Sequence, residues 1–62
     1  MALAWDERVK HVREGMGLTQ GEFARRLGMS VAGLAIWERS LYRPYSKNAE
    51  FFEVIERAFL DG

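Results

Sequence analysis

The charged side chains of this 62-residue chain sum to zero, yet they are sorted along it. Between residues 19 and 47, five cations (Arg25, Arg26, Arg39, Arg43 and Lys47) stand against only Glu22 and Glu38, a net of +3. Residues 48–62 carry Arg57 against Glu50, Glu53, Glu56 and Asp61, a net of −3, and residues 1–18 balance. A module polarised in this way can present one face to phosphates and the other to solvent or a partner. The chemistry on offer is electrostatic. The lone histidine, His11, has no nucleophile or carboxylate constellation around it in a recognisable motif, so an enzyme is not expected and His11 reads as a surface residue. Cysteine is absent, which removes disulfides and thiolate metal sites, and one histidine cannot build a zinc site. No cofactor or metal is implied.

The elements that carry those cations are legible between Gly17 and Pro44, GLTQGEFARRLGMSVAGLAIWERSLYRP. Thr19 followed three residues later by Glu22 is a capping-box pattern that starts a helix. Phe23, Ala24 and Leu27 fall on one face of it. Gly28 stands where a left-handed residue ends it. Ser30 caps a second helix, whose inner face is Val31, Leu34 and Trp37. Two helices with so short a connector make a helix-turn-helix. The boundaries expected are Gln20–Leu27 and Val31–Arg39, with a loop over Ser40–Ser46 in which Pro44 biases Arg43 toward extended backbone.

A first helix is expected from near Asp6, its N-cap, with Trp5 as part of a staple and Val9, Val12 and Met16 turned inward. Gly15 and Gly17 close it. A fourth helix is expected over Lys47–Leu60, where Phe51, Phe52, Val54, Ile55, Ala58 and Phe59 form an apolar stripe wider than one core contact requires. The fold class is therefore all-α: a compact four-helix unit read as one domain over residues 1–62. A chain this short buries only about 60% of its unfolded surface, so helix packing or a second subunit must stabilise it. The hydrophobic content of 48% argues against disorder. No apolar run is long enough for a membrane span or signal peptide, and a cytoplasmic setting is expected.

Together these marks resemble the Cro/repressor-type helix-turn-helix family of phage and bacterial transcription regulators, here called XRE-like. The resemblance rests on Gly17-Leu18-Thr19-Gln20, Phe23-Ala24, Leu27-Gly28-Met29-Ser30 and Trp37-Glu38-Arg39, with Pro44 closing the loop. Ala24 falls where the helices cross closely, Gly28 in the turn that favours positive φ, and Leu34 and Trp37 where the family buries apolar side chains. The family's fold, lambda-repressor-like, places the second helix of the motif in the major groove of double-stranded DNA, with the first crossing the backbone. Carried over residue by residue, Gln20 would set its amide on a phosphate, and Ser30 would do similar work. The main-chain amides of Leu41, Tyr42 and Arg43 would grip the backbone, with Arg39, Arg43 and Lys47 adding charge. Arg13 and Glu38 match a pair that bridges the first and third helices.

This chain departs from the family at the base-reading positions. Val31, Ala32, Gly33, Ala35 and Ile36 occupy slots that commonly hold hydrogen-bonding side chains, and none can make the bidentate contacts that discriminate guanine or adenine. Val31, Ala32 and Ile36 could touch thymine methyls while DNA shape contributes the rest. Alternatively the face docks a protein, as in an antirepressor or antitoxin-like module, or Val31 or Ile36 turns into the core. Gly33 costs a helix about 1 kcal/mol relative to alanine, and close contact with DNA or a neighbouring helix would compensate. The DNA reading is favoured, because a purely protein-binding module has no use for the phosphate-contact set. A module without base-specific hydrogen bonds binds weakly alone, so a homodimer on a palindromic operator is expected. Phe52, Phe59 and Leu60 are its expected interface. Many family members add a fifth helix for dimerisation, so the dimer expected of this chain is small and forms fully only on DNA.

Overall fold

The computed structural model describes residues 2–62 and contains four α-helices: α1 Trp5–Gly15, α2 Gln20–Leu27, α3 Val31–Trp37 and α4 Lys47–Asp61. No strand occurs among the described residues. The all-α, four-helix expectation holds, and α2 has the boundaries read from its caps. Thr19 Oγ1 accepts from the Glu22 N–H (3.1 Å) while Glu22 Oε1 accepts from the Thr19 N–H (2.9 Å), closing the capping box. Ser30 and Ser46 cap α3 and α4 through the N–H groups of Gly33 and Ala49.

Three boundaries differ, that of α4 only by one further residue, Asp61. Helix α1 begins one residue before Asp6, with Ala4 in the N-cap position and Trp5 as the first helical residue. Asp6 instead accepts from the neighbouring Glu7 N–H at 2.8 Å. The reason is tertiary: the N–H groups of Trp5 and Asp6, which a helix start leaves unpaired, donate to the carbonyls of Leu41 and Ser40 at 3.2 and 2.9 Å. Trp5 is consequently a core residue rather than an outlying staple. Helix α3 stops at Trp37, two residues short of Arg39, with Glu38 as its C-cap. Glu38 is committed there to Arg13, and the Ser40 hydroxyl donates to the Ile36 carbonyl at 2.7 Å, completing the end of the helix.

The core is an aromatic cluster with one ring from each helix. Trp5 of α1 stands edge-on to Trp37 of α3 and to Phe52 of α4, each at 5.1 Å between centroids. Phe23 of α2 meets Phe52 at 6.1 Å. Edge-to-face pairs are worth about 0.5–1.5 kcal/mol each beyond the area they bury, which matters in a domain with so little interior. Val9, Val12, Ala24, Leu27, Leu34 and Ala49 fill the space between the rings.

Phe52, expected at a dimer surface, is 0% exposed and sits at the centre of this cluster. Four short helices cannot close a core without a large side chain from α4, and Phe52 lies on the inward face with Ala49. Phe59 is also turned inward, half-buried against α1, where its ring meets His11 edge-on at 5.8 Å. A Cβ added to Gly15 would stand 2.3 Å from Phe59 Cζ, so the ring crosses α1 where only a hydrogen fits.

Candidate nucleic-acid interface

The geometry of the α2–α3 pair follows from two small residues. Gly28 ends α2 at φ 68°, a left-handed conformation that glycine adopts without a Cβ clash. The next amide, of Met29, donates back to the Ala24 carbonyl at 3.0 Å, completing the C-terminal turn. Ala24 is buried, and its single methyl permits a close crossing of the helices. The Asn48 amide then donates to the Leu27 carbonyl at 2.8 Å, fastening the start of α4 to the end of α2.

Within α3, burial divides the residues at 100° per position. Leu34 and Trp37 face the core, and the opposite side carries Val31, Ala32, Ala35 and Ile36. Val31 and Ile36 are 51% and 56% exposed; neither turns inward. Ala32 is exposed and Ala35 half-buried. Gly33 lies at the flank, where a Cβ would be 3.2 Å from both Met29 Cε and Ser30 Oγ. Its missing side chain therefore gives room to the N-cap hydroxyl and to a methionine from the turn.

At the far end of α3, Glu38 is 4% exposed and accepts three side-chain hydrogen bonds. Arg13 donates Nε to Oε2 at 2.6 Å and Nη2 to Oε1 at 3.1 Å, a two-point pair between α1 and the α3 terminus. The same guanidinium donates Nη1 to the Leu18 carbonyl at 3.0 Å. The Glu38 hydrogen bonds raise the Arg13 pKa above its ordinary value despite an opposing desolvation. Gln20 Nε2 supplies the third bond to Glu38, at 3.1 Å. Its amide is thus oriented from behind, with a second N–H hydrogen left to donate elsewhere.

The loop from Arg39 to Tyr45 completes the face. Among the described residues, the main-chain N–H groups of Leu41, Tyr42 and Arg43 donate to no protein acceptor, while the Ser40 and Leu41 carbonyls are held by α1. The loop is anchored on its carbonyl side and open on its amide side. Leu41, Tyr42, Arg39 and Lys47 are exposed, as is Ser30. Arg43 is placed differently from a free surface cation. Its Nε and Nη2 donate to Glu53 at 3.0 and 2.8 Å, and Nη1 to the Pro44 carbonyl at 3.0 Å.

Glu53 also accepts from Arg8 Nη2 at 3.1 Å, and Arg8 makes a two-point contact with Glu56 at 3.0 and 2.7 Å. Arg8 lies over the Trp5 ring at 5.1 Å. Much of the negative charge of the tail is therefore spent on Arg8 and Arg43. Sequence reasoning did not single out Arg8, Glu53, Glu56 or Asn48. Their partners lie 10 to 48 residues away, and no periodicity signals such pairs. On α4 the exposed large apolar residues are Phe51, Val54 and Leu60, with Leu60 on the opposite flank from Phe51.

A helix-turn-helix family model matches residues 9–54, from within α1 to within α4. No curated protein and no solved structure gives a significant match. The chain belongs to this Cro/repressor-type, XRE-like helix-turn-helix family, whose members are DNA-binding transcription regulators. No helix among the described residues is long and apolar enough to cross a membrane.

Proposed function

We propose that this protein is a sequence-specific double-stranded DNA-binding regulator, of the repressor type, that inserts α3 into the major groove. The observation carrying this reading is the pairing of two surfaces. The side of α3 away from the core is solvent-exposed and unencumbered, and the neighbouring loop offers three unpaired main-chain amides over Leu41–Arg43. Phosphate oxygens are the natural acceptors for such amides. Gln20, pre-oriented by Glu38, opens α2, Ser30 caps α3, Arg39 follows the C-cap of α3 and Lys47 opens α4. Val31, Ala32, Ala35 and Ile36 would meet the base edges, with Gly33 at the flank, while Arg43 reaches the backbone by exchanging Glu53 for phosphate.

Two copies on an inverted repeat complete the proposal. With Phe52 in the core and Phe59 against Gly15, the apolar surface left on α4 for a two-fold contact is Leu60 on one flank and Phe51 with Val54 on the other. A contact of this size is weak alone, and half-sites one helical turn apart, ~10 base pairs, would hold it together on DNA.

The test is a binding selection from random duplex DNA, followed by sequencing of the retained molecules and a salt titration of the best one. Enrichment of an inverted repeat, with affinity falling steeply as salt rises, supports the proposal. No enrichment at moderate salt overturns it and turns attention to α3 as a protein-docking surface.

A further inference from the structure

We infer that the exposed face of α3 recognises the C5 methyl group of pyrimidines, so that 5-methylcytosine substitutes for thymine at the contacted positions and uracil does not. The inference rests on the DNA reading above and adds to it the chemical feature that is read.

The face opposite Leu34 and Trp37 is made of Val31, Ala32, Ala35 and Ile36, whose side chains hold no donor or acceptor. The polar side chains around it stand at its margins. Ser30 Oγ accepts from the Gly33 N–H at 3.0 Å, and Gln20 points its amide at Glu38 at 3.1 Å. Arg39 lies beyond the end of α3. Hydrogen-bond readout from the centre of this face is therefore closed.

In the major groove every base pair presents donors and acceptors, and the one apolar group in unmodified DNA is the thymine methyl. Covering any base edge with aliphatic side chains strips water from its polar atoms, which is unfavourable without replacement hydrogen bonds. A methyl packed against Val31 or Ile36 offsets that cost; a pair lacking the methyl bears it uncompensated. 5-Methylcytosine carries the same methyl on the same ring carbon and projects it into the same groove. The protein should accordingly respond to cytosine methylation wherever a contacted thymine position is replaced by a C·G pair.

The experiment uses the duplex enriched from the random pool, synthesised in four forms: unchanged, with deoxyuridine for thymidine in the half-sites, with C·G in place of the T·A pairs, and with 5-methyl-C·G at those pairs. Loss of each contacted methyl should raise Kd about threefold to fourfold. 5-Methyl-C·G should recover most of what C·G loses. The V31A/I36A double variant, checked by thermal melting to be folded, should discriminate thymine from uracil less than the native protein while keeping its salt dependence. Equal affinity of the native protein for the thymine and uracil duplexes overturns the inference and leaves the DNA reading intact. Thymine–uracil discrimination that is undiminished in the double variant overturns it too, by assigning the preference to DNA shape. Failure to bind any duplex removes the DNA reading and this inference together.

Discussion

The guanidinium of Arg43 closes on the carboxylate of Glu53 through two donors, at 3.0 and 2.8 Å, and so ties the loop after α3 to the middle of α4. The same carboxylate takes Arg8 of α1 at 3.1 Å. One acidic residue thus joins three parts of the chain, and it occupies the cation best placed to accompany the open amides of Leu41–Arg43. Under the proposed DNA reading, a phosphate would compete with Glu53 for Arg43.

Glu53→Gln should therefore separate folding from binding. Removing the charge weakens the joint between loop and helices and lowers Tm. It also frees Arg43 from its competitor, so DNA affinity at low salt should rise about threefold with the salt slope little changed, because Arg43 meets the same phosphate in both forms. Arg43→Ala should weaken all duplexes alike and flatten the slope. Parallel loss of stability and affinity in Glu53→Gln would show that Arg43 serves the fold alone.

Acid should expose the same joint. Glu53 is held below the usual carboxylate range, first by hydrogen bonds from Arg43, against an opposing desolvation, and then by Arg8. Glu22 is lowered as well, chiefly by the Thr19 backbone N–H. A carboxylate with a lower pKa folded than unfolded stabilises the fold above its unfolded pKa of about 4.3 and loses that contribution as pH falls through the folded value. Melting curves of wild type and Glu53→Gln should be well separated at neutral pH and converge as pH falls through the lowered folded value of Glu53. A constant separation down through that value would mean the joint contributes no linked proton.

Glu38→Ala should be the most damaging single change considered. It leaves the Arg13 guanidinium, largely buried in its contact with Glu38, without its carboxylate, and frees Gln20 as well. Removing one partner of a buried pair costs about 3 kcal/mol, roughly a 20–25 °C fall in Tm for a domain this small. Ile36→Ala, on the exposed side of α3, should stay within about 0.5 kcal/mol of wild type. Urea denaturation of both variants checks the contrast, and comparable midpoints would remove the Arg13–Glu38 pair from the stabilising set.

Gly15→Ala tests the packing of α4 on α1. Alanine gains up to about 1 kcal/mol of helix propensity over glycine. Its Cβ, however, would fall 2.3 Å from Phe59 Cζ and 2.9 Å from Cε1. Overpacking of this kind costs about 1–3 kcal/mol, so the net effect should be destabilising. In a Phe59→Leu background the same substitution should become neutral or favourable. A more stable Gly15→Ala with Phe59 intact would show that the ring swings aside at little cost.

The elements were legible because their signals are local. The Thr19–Glu22 box, the Ser30 cap and Gly28 act within a few residues of themselves, and together they set α2 and the start of α3 without tertiary help. The inward positions Val9, Val12, Phe23, Leu27, Leu34 and Trp37 followed from periodicity, because a helix has one apolar side wherever it packs; Val31, read on the same inner face, is exposed instead. The family followed from the same residues, since they are what the helix-turn-helix geometry requires.

Other features were decided only when the chain closed on itself. Helix α1 starts at Trp5 because the Ser40 and Leu41 carbonyls, far along the chain, receive its first N–H groups. Helix α4 has more apolar residues than one face needs, and its sequence alone could not say which ring goes inside. Phe52 enters the core because rings from the other three helices meet there, and Phe59 is held half-buried because Gly15 leaves room for it. The balance of charge behaved likewise. Composition separates a basic motif from an acidic tail, but only the packing of α4 beside α1 and the loop brings Glu53 and Glu56 onto Arg8 and Arg43. Caps and periodicity act over one or two turns, and chain sequence alone determines them; ion pairs and ring contacts depend on distances between helices, and those exist only in the folded molecule.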